Sequence, residues 1–309
     1  MKIAKRIFLF VMTNILIIAT LSIMMSLLGV QPYLNAKGID YRSLLIFCLI
    51  WGFGGAFISL TLSRIMAKWM MGVKVIDPQT PDHELQNLLR RVHDFSRKAG
   101  IEKMPEVGCY EADDLNAFAT GPTKNRALVA VSSGLLRNMS PSELDGVLAH
   151  EVAHIANGDM VTMTLVQGVV NTFVMFLARV VGFFASQFVS EDKRNIVQFG
   201  VAIALEILLG ILGMIVVAFF SRRREYRADK GGAMLSTSEN MISALERLKI
   251  NSQLPQADDQ PAIASLKISG KADGFLKLFS THPNLDDRIQ SLKANRPQSS
   301  QTRGQVRYV

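Results

Sequence analysis

The chain has 309 residues, 49% of them hydrophobic, and 34 Lys and Arg against 26 Asp and Glu give it a net charge of +8. That apolar share excludes an intrinsically disordered chain, and two cysteines exclude a disulfide-stapled scaffold. The basic excess comes with no nucleic-acid-binding motif, so no nucleic-acid partner is expected; much of it sits beside long apolar runs, as a lipid bilayer partner requires.

Residues 1–70 hold two such runs and predict two transmembrane helices. The first, residues 7–30, follows Lys2, Lys5 and Arg6. Its length and the lack of an A-x-A-like exit favour an uncleaved anchor over a cleaved signal peptide. The second, about residues 43–63, precedes Arg64 and Lys68. Both reach about 20 residues, the length that crosses hydrocarbon as a helix.

Residues 71–160 read as a cytoplasmic catalytic segment. Residues 81–99 place Leu85, Leu88, Leu89, Val92 and Phe95 on one helical face, with Gly100 as the stop. His83 and His93 fall on this helix at a spacing that suits no metal, and read as surface or boundary histidines. Strand-like pieces follow at 106–110, 116–119 and 127–132, enough for a small antiparallel sheet. Next comes His150-Glu151-Val152-Ala153-His154, which holds two of the five histidines. Ser140, Pro141 and Glu143 provide a start signal and Asn157-Gly158 a stop. Residues four apart on a helix share a face, so both imidazoles can bind one zinc. Glu151 lies about 100° around the helix, where a general base must stand. The same motif also arises by chance on solvated helices. Here Leu144, Val147, Leu148, Val152 and Ile155 make the helix a buried one, whose polar groups need partners.

Residues 161–220 carry two further runs, about 161–189 and 196–220, the latter followed by Arg222, Arg223 and Arg224. They read as a helical hairpin of third and fourth spans; a buried core hairpin is the alternative, because Gln167, Asn171, Arg179 and Glu206 interrupt them. The turn is centred between Asp192 and Lys193, which places Arg179 and Glu206 at similar depth. An unpaired charge in hydrocarbon is expensive, so the two are expected to pair, the alternative being that Arg179 snorkels or faces a water-filled cleft. The basic ends put both termini and the histidine motif on the cytoplasmic side. Cys48 and Cys109 are poorly placed to pair, in keeping with a reducing compartment.

Residues 221–294 read as a cytoplasmic helical segment that completes the metal site. A catalytic zinc takes three protein ligands and keeps one open position. The third histidine of H-E-x-x-H-x-x-G-x-x-H is missing, since Met160 stands there. Glu225 is the better candidate, with Asp229 four residues on and on the same face. One carboxylate can bind the metal while the other accepts the distal N–H of a ligating histidine. A solvated face beside Arg222–Arg224 and Arg227 is the alternative. Residues 225–249 and 286–294 read as helices, 251–274 as a polar loop and 295–309 as a flexible tail. The whole is a mainly α integral membrane protein with a small antiparallel β-sheet.

On these residues the chain closely resembles the HtpX family of membrane zinc metalloproteases, relatives of the CAAX prenyl proteases. The resemblance rests on two N-terminal spans, Asn116-Ala117-Phe118-Ala119, His150-Glu151-Val152-Ala153-His154 and the hydrophobic pair. It continues through Glu225-Tyr226-Arg227-Ala228-Asp229 and His282-Pro283 with Arg288-Ile289. It implies a gluzincin-type zinc metalloprotease domain, with one Zn2+ per subunit held by His150, His154 and Glu225 and with Glu151 as the base. It implies that Asn116, Ala117, Phe118 and Ala119 form an edge strand where an extended peptide can add. It also implies that His282 or Arg288 lies near the site. His282 could donate to the oxyanion, and Arg288 could hold a carboxylate such as Asp229. The function implied is an endopeptidase of the bacterial cytoplasmic (inner) membrane. It would cut damaged or misfolded membrane proteins and unfolded polypeptides on the cytoplasmic side, in stress response, alongside membrane quality-control partners. A zinc-holding scaffold without turnover and a processing protease for one defined substrate stay open, though Glu151 counts against the first.

Overall fold

The computed structural model describes residue 23, residues 40–252 and residues 280–294. The first apolar run (Ile23 apart), most of the 251–274 loop and the 295–309 tail lie outside the described residues. In chain order the elements are α1 (Tyr41–Met70), β1 (Lys74–Val75), α2 (His83–Lys98), β2 (Glu106–Tyr110), β3 (Ala117–Thr123) and β4 (Arg126–Ser132). They continue with α3 (Ser133–Asn138), α4 (Pro141–Asn157), α5 (Asp159–Ser186), a 3-10 turn (Glu191–Lys193), α6 (Arg194–Leu235), α7 (Ser238–Asn251) and α8 (Leu285–Ala294). They form two compact units, one from residues 1–62 and 160–220, the other from residues 63–159 and 221–309.

The first unit is helical. Among the described residues three helices, α1, α5 and the one containing α6, are long and apolar enough to cross a membrane. Tyr41, Leu45, Cys48 and Phe53 of α1 pack on Phe176, Val180 and Phe183 of α5. The outward faces are apolar too: Ile50, Trp51 and Ile58 on α1, and Ile196, Phe199, Ile207 and Leu208 on α6, are more than half exposed. Only 11% of the most apolar stretch of α6 is buried, which counts against a core hairpin. Water penalises such continuous apolar faces, whereas lipid does not. Polar groups turn inward and find partners: Thr172 Oγ1 donates to Gly168 O at 2.8 Å, and Gln167 Nε2 to Asn171 Oδ1 at 2.8 Å. Arg179 Nη1 donates to Glu206 Oε1 at 2.5 Å, tying α5 to α6.

The second unit combines a four-stranded sheet with helices. Strand order is β1-β2-β4-β3. The β1–β2 and β3–β4 pairs are antiparallel, but β2 and β4 run parallel, with Val107 opposite Val129. The sheet is therefore mixed, which corrects the expected antiparallel sheet. β4 turns back tightly from β3 and inserts between β3 and β2, so it must run alongside β2. Its residues Ala127 to Ser132 are all buried, as befits a central strand, and β3 is left at the edge. Asp82 caps α2 by accepting from the backbone of Glu84 and Leu85 at 2.8 and 3.2 Å. α4 opens with the capping box read from Ser140 and Glu143. The helix read over 225–249 is two helices, because Thr237 leaves helical geometry to accept from Asn240 N at 3.1 Å and cap α7.

Candidate metal centre

α4 is buried on every side from Gly146 to Ile155, so the polar residues of its motif face protein and not water. The His150 and His154 rings stand perpendicular on one face, centroids 4.6 Å apart, with their Nε2 atoms 3.1 Å from one another. Glu225 enters from α6. Its Oε2 lies 3.4 Å from His150 Nε2 and its Oε1 3.4 Å from His154 Nε2. Two glycines let α6 come this close. A Cβ on Gly232 would sit 3.1 Å from the His150 backbone nitrogen, and one on Gly231 would sit 2.7 Å from Ala153 Cβ. No motif singles these glycines out in the sequence; their one signal is a Gly-Gly pair inside a helical pattern.

The residues fit a metal cation. Bonds of about 2.0–2.1 Å to a tetrahedral zinc place its ligand atoms ~3.3 Å apart, close to the 3.1, 3.4 and 3.4 Å found among these three side chains. Both Glu225 oxygens are buried with no hydrogen-bond donor, a costly state that a cation relieves. Each imidazole turns Nδ1 to a carboxylate: His150 to Asp229 Oδ1 at 3.0 Å and His154 to Asp159 Oδ2 at 2.7 Å. With the proton given to Nδ1, both Nε2 lone pairs converge beside Glu225. Burial disfavours charge on His154, but Glu225 and Asp159 outweigh it and raise the pKa to about 10. Burial likewise opposes charge on His150, and Asp229 and Glu225 overcome it. The carboxylates around the two rings thus favour positive charge between them. Two protons cannot both lie between nitrogens 3.1 Å apart, whereas one metal ion can.

The other residues named from sequence fall as follows. Glu151 is buried beside His150. Arg288, 1% exposed, donates from Nε and Nη2 to the two oxygens of Asp229 at 2.8 and 2.6 Å, and its Nη1 lies 3.5 Å from Glu225. His282 Nδ1 lies 3.3 Å from Glu225 Oε2, so both C-terminal residues stand at the site. Asn116 precedes edge strand β3, which packs against α4; its Nδ2 donates to Tyr110 Oη at 2.9 Å. Burial pushes the Tyr110 phenol up, which keeps it neutral. Ala117 and Phe118 are buried and Ala119 is half-buried. His93 instead contacts Pro105 O at 3.1 Å, and Arg179 and Glu206 belong to the helical unit. The sequence reading missed Asp159, whose one signal is an acid just after the glycine that stops α4.

Apolar helices exposed as only lipid tolerates, together with a buried His-Glu-x-x-His helix whose two imidazoles meet a carboxylate as third ligand group, define a membrane metallopeptidase. The chain belongs to Peptidase family M48, whose family model matches residues 81–296. It is 54% identical over 298 residues to the Protease HtpX homolog of Bacillus subtilis (strain 168), covering 94% of this chain and 99% of that relative. It is 50% identical over 293 residues to Protease HtpX of Hahella chejuensis, and 48% over 297 to the Protease HtpX homolog of Methylacidiphilum infernorum. Those matches cover 94% of this chain and 99% and 98% of the relatives. The crystal structure of S. mikatae Ste24p shares the fold, with a TM-score of 0.56 at 18% identity over 92% of this chain and 66% of that one.

Proposed function

We propose that this chain is a zinc-dependent endopeptidase of the bacterial cytoplasmic membrane that cuts damaged or misfolded membrane proteins on the cytoplasmic side. It would serve proteolytic quality control and the stress response, as the kinship with HtpX proteases suggests. In this reading residues 1–70 and 161–220 supply the membrane segments. Residues 71–160 and 221–294 supply the catalytic ones, and residues 295–309 are a tail. Basic residues at 64–74 and 222–224 favour a cytoplasmic site and cytoplasmic termini. One observation carries the zinc reading: the buried Glu225 carboxylate, which accepts no hydrogen bond and faces two converging imidazole nitrogens.

Zinc held by His150, His154 and Glu225 would supply a Lewis acid that polarises a carbonyl and acidifies water. Glu151 takes the proton of the attacking water and later returns one to the leaving amine. Asp229, clamped by Arg288, steadies His150. His282, beside Glu225, donates to the developing oxyanion. An extended polypeptide joins the free edge of β3 through Asn116, Ala117, Phe118 and Ala119, so that backbone groups confer binding with little sequence preference.

Zinc content and casein cleavage of detergent-purified protein test this reading. One zinc per chain and chelator-sensitive cleavage are expected, with both lost in Glu225→Ala. Folded wild-type protein free of zinc would overturn it. Comparing membrane proteomes of cells bearing wild type or Glu151→Gln tests the quality-control role. Accumulation of many unrelated membrane proteins is expected, and a single accumulating substrate would point to dedicated processing instead.

A further inference from the structure

The two histidines of the centre are held by different means. His150 Nδ1 lies 3.0 Å from Asp229 Oδ1 without a hydrogen bond, and Asp229 is also engaged by the two donors of Arg288. His154 Nδ1 makes a buried 2.7 Å hydrogen bond to Asp159 Oδ2. The other Asp159 oxygen is buried without a hydrogen bond, and Arg227, on a side chain 61% exposed, comes only within 3.9 Å of it. Asp159 therefore keeps its charge for His154, whereas Asp229 shares its own with a guanidinium.

The backbone is bent to deliver this carboxylate. In an unbroken helix a residue five positions on lies about 140° around the axis, off the face of His154. Gly158 prevents that outcome. It adopts φ 71° and ψ 38°, donates to His154 O and Ile155 O, and closes α4 so that Asp159 opens α5 beside the ring. A side chain at Gly158 would resist this left-handed step.

We propose that Asp159 is a positioning residue for His154. It fixes the imidazole proton on Nδ1, aims Nε2 at the cation and lends that arm of the site a negative charge that Arg288 draws away from the His150 arm. The proposal rests on the zinc reading above. Outer carboxylates of this kind typically hold about 10–100-fold in metal affinity.

The test is chelator-competition zinc binding to the full detergent-solubilised chain, as wild type, Asp159→Ala and Asp159→Asn. Alongside it go cobalt-substituted absorption spectra and thermal unfolding of the metal-free forms. Asp159→Ala should lose affinity by about 10–100-fold and alter the cobalt spectrum. Asp159→Asn keeps an acceptor without charge and should lose less, but measurably. Zinc affinity within about twofold of wild type in Asp159→Ala, with an unchanged cobalt spectrum, overturns the proposal. If the alanine variant does not fold, the asparagine variant decides by the same criterion. Wild type that binds no zinc would sink the zinc reading instead, a distinct result.

Discussion

Arg288 grips Asp229 with two parallel N–H donors at 2.8 and 2.6 Å, and both side chains are at most 2% exposed. This is the fork-on-carboxylate geometry that a lysine cannot reproduce. The pair joins α8 to α6 and so fixes the carboxylate that touches His150. Arg288→Met leaves a buried carboxylate uncompensated and should cost about 3–5 kcal/mol in denaturant unfolding. Arg288→Lys should recover only part of that loss. The double variant Arg288→Met with Asp229→Asn should be more stable than Arg288→Met alone; equal stability would show that the pair is not what Arg288 contributes.

Metal removal should act on stability as well as on activity. Without a cation the Glu225 carboxylate keeps neither a hydrogen-bond donor nor solvent. A ligand that binds only the folded state adds about 4 kcal/mol at a thousand times its Kd. A strong chelator should therefore lower the unfolding temperature of the wild type, and zinc should restore it. Glu225→Ala should show neither effect. An unfolding curve indifferent to chelator and zinc would remove the metal from this protein's folding.

What the sequence disclosed follows from what is local. His150, Glu151 and His154 were legible because their spacing and the helix period together fix one face, and the Ser140–Glu143 cap marks where that helix begins. Glu225 and Asp229 were legible by the same rule. Asp159 was not, since its place beside His154 depends on a single left-handed step at Gly158, which the helix period does not encode. Gly231 and Gly232 were silent because they matter through a crossing of helices distant in sequence. Three strands of the sheet were visible; the two-residue β1 was too short to show a pattern, and the parallel β2–β4 pair was hidden because direction is decided by which strand inserts where, a non-local choice.

Glu151 is the residue on which turnover should depend while metal binding does not. Glu151→Gln preserves size and removes the base, and general-base loss typically costs about 10^2–10^4-fold in rate. The expected outcome is unchanged zinc content with kcat/KM on a fluorogenic peptide lowered by that range. A variant that keeps full rate would assign the proton transfer to another group.

The close crossing at Gly232 predicts an overpacking effect. A methyl there is already tight against the His150 backbone at 3.1–3.2 Å and against Met241 Sδ at 2.9 Å. Helix propensity would favour alanine by up to about 1 kcal/mol, so Gly232→Ala can come out near neutral. The two extra methyls of Gly232→Val must push α6 from α4, at about 1–3 kcal/mol. Because Glu225 rides on α6, zinc affinity should fall with stability. If Gly232→Val binds zinc as wild type does, the crossing does not position the third ligand.

The Arg179–Glu206 contact at 2.5 Å joins two helices whose outer faces are apolar. Its value lies in what each charge would do alone. In an apolar surround a lone guanidinium or carboxylate lacks the partner that makes it tolerable, so each single change to leucine should destabilise more than the pair changed together. Interhelical polar contacts in membranes couple by about 0.6 kcal/mol on average and at most ~1.7 kcal/mol, and charge should place this pair toward the upper end. A double-mutant cycle on unfolding in mixed micelles, with Arg179→Leu and Glu206→Leu singly and combined, measures that coupling. If the two effects simply add, the contact is incidental. Each side chain would then be held by something else, for Arg179 the Met175 carbonyl it also reaches at 3.3 Å.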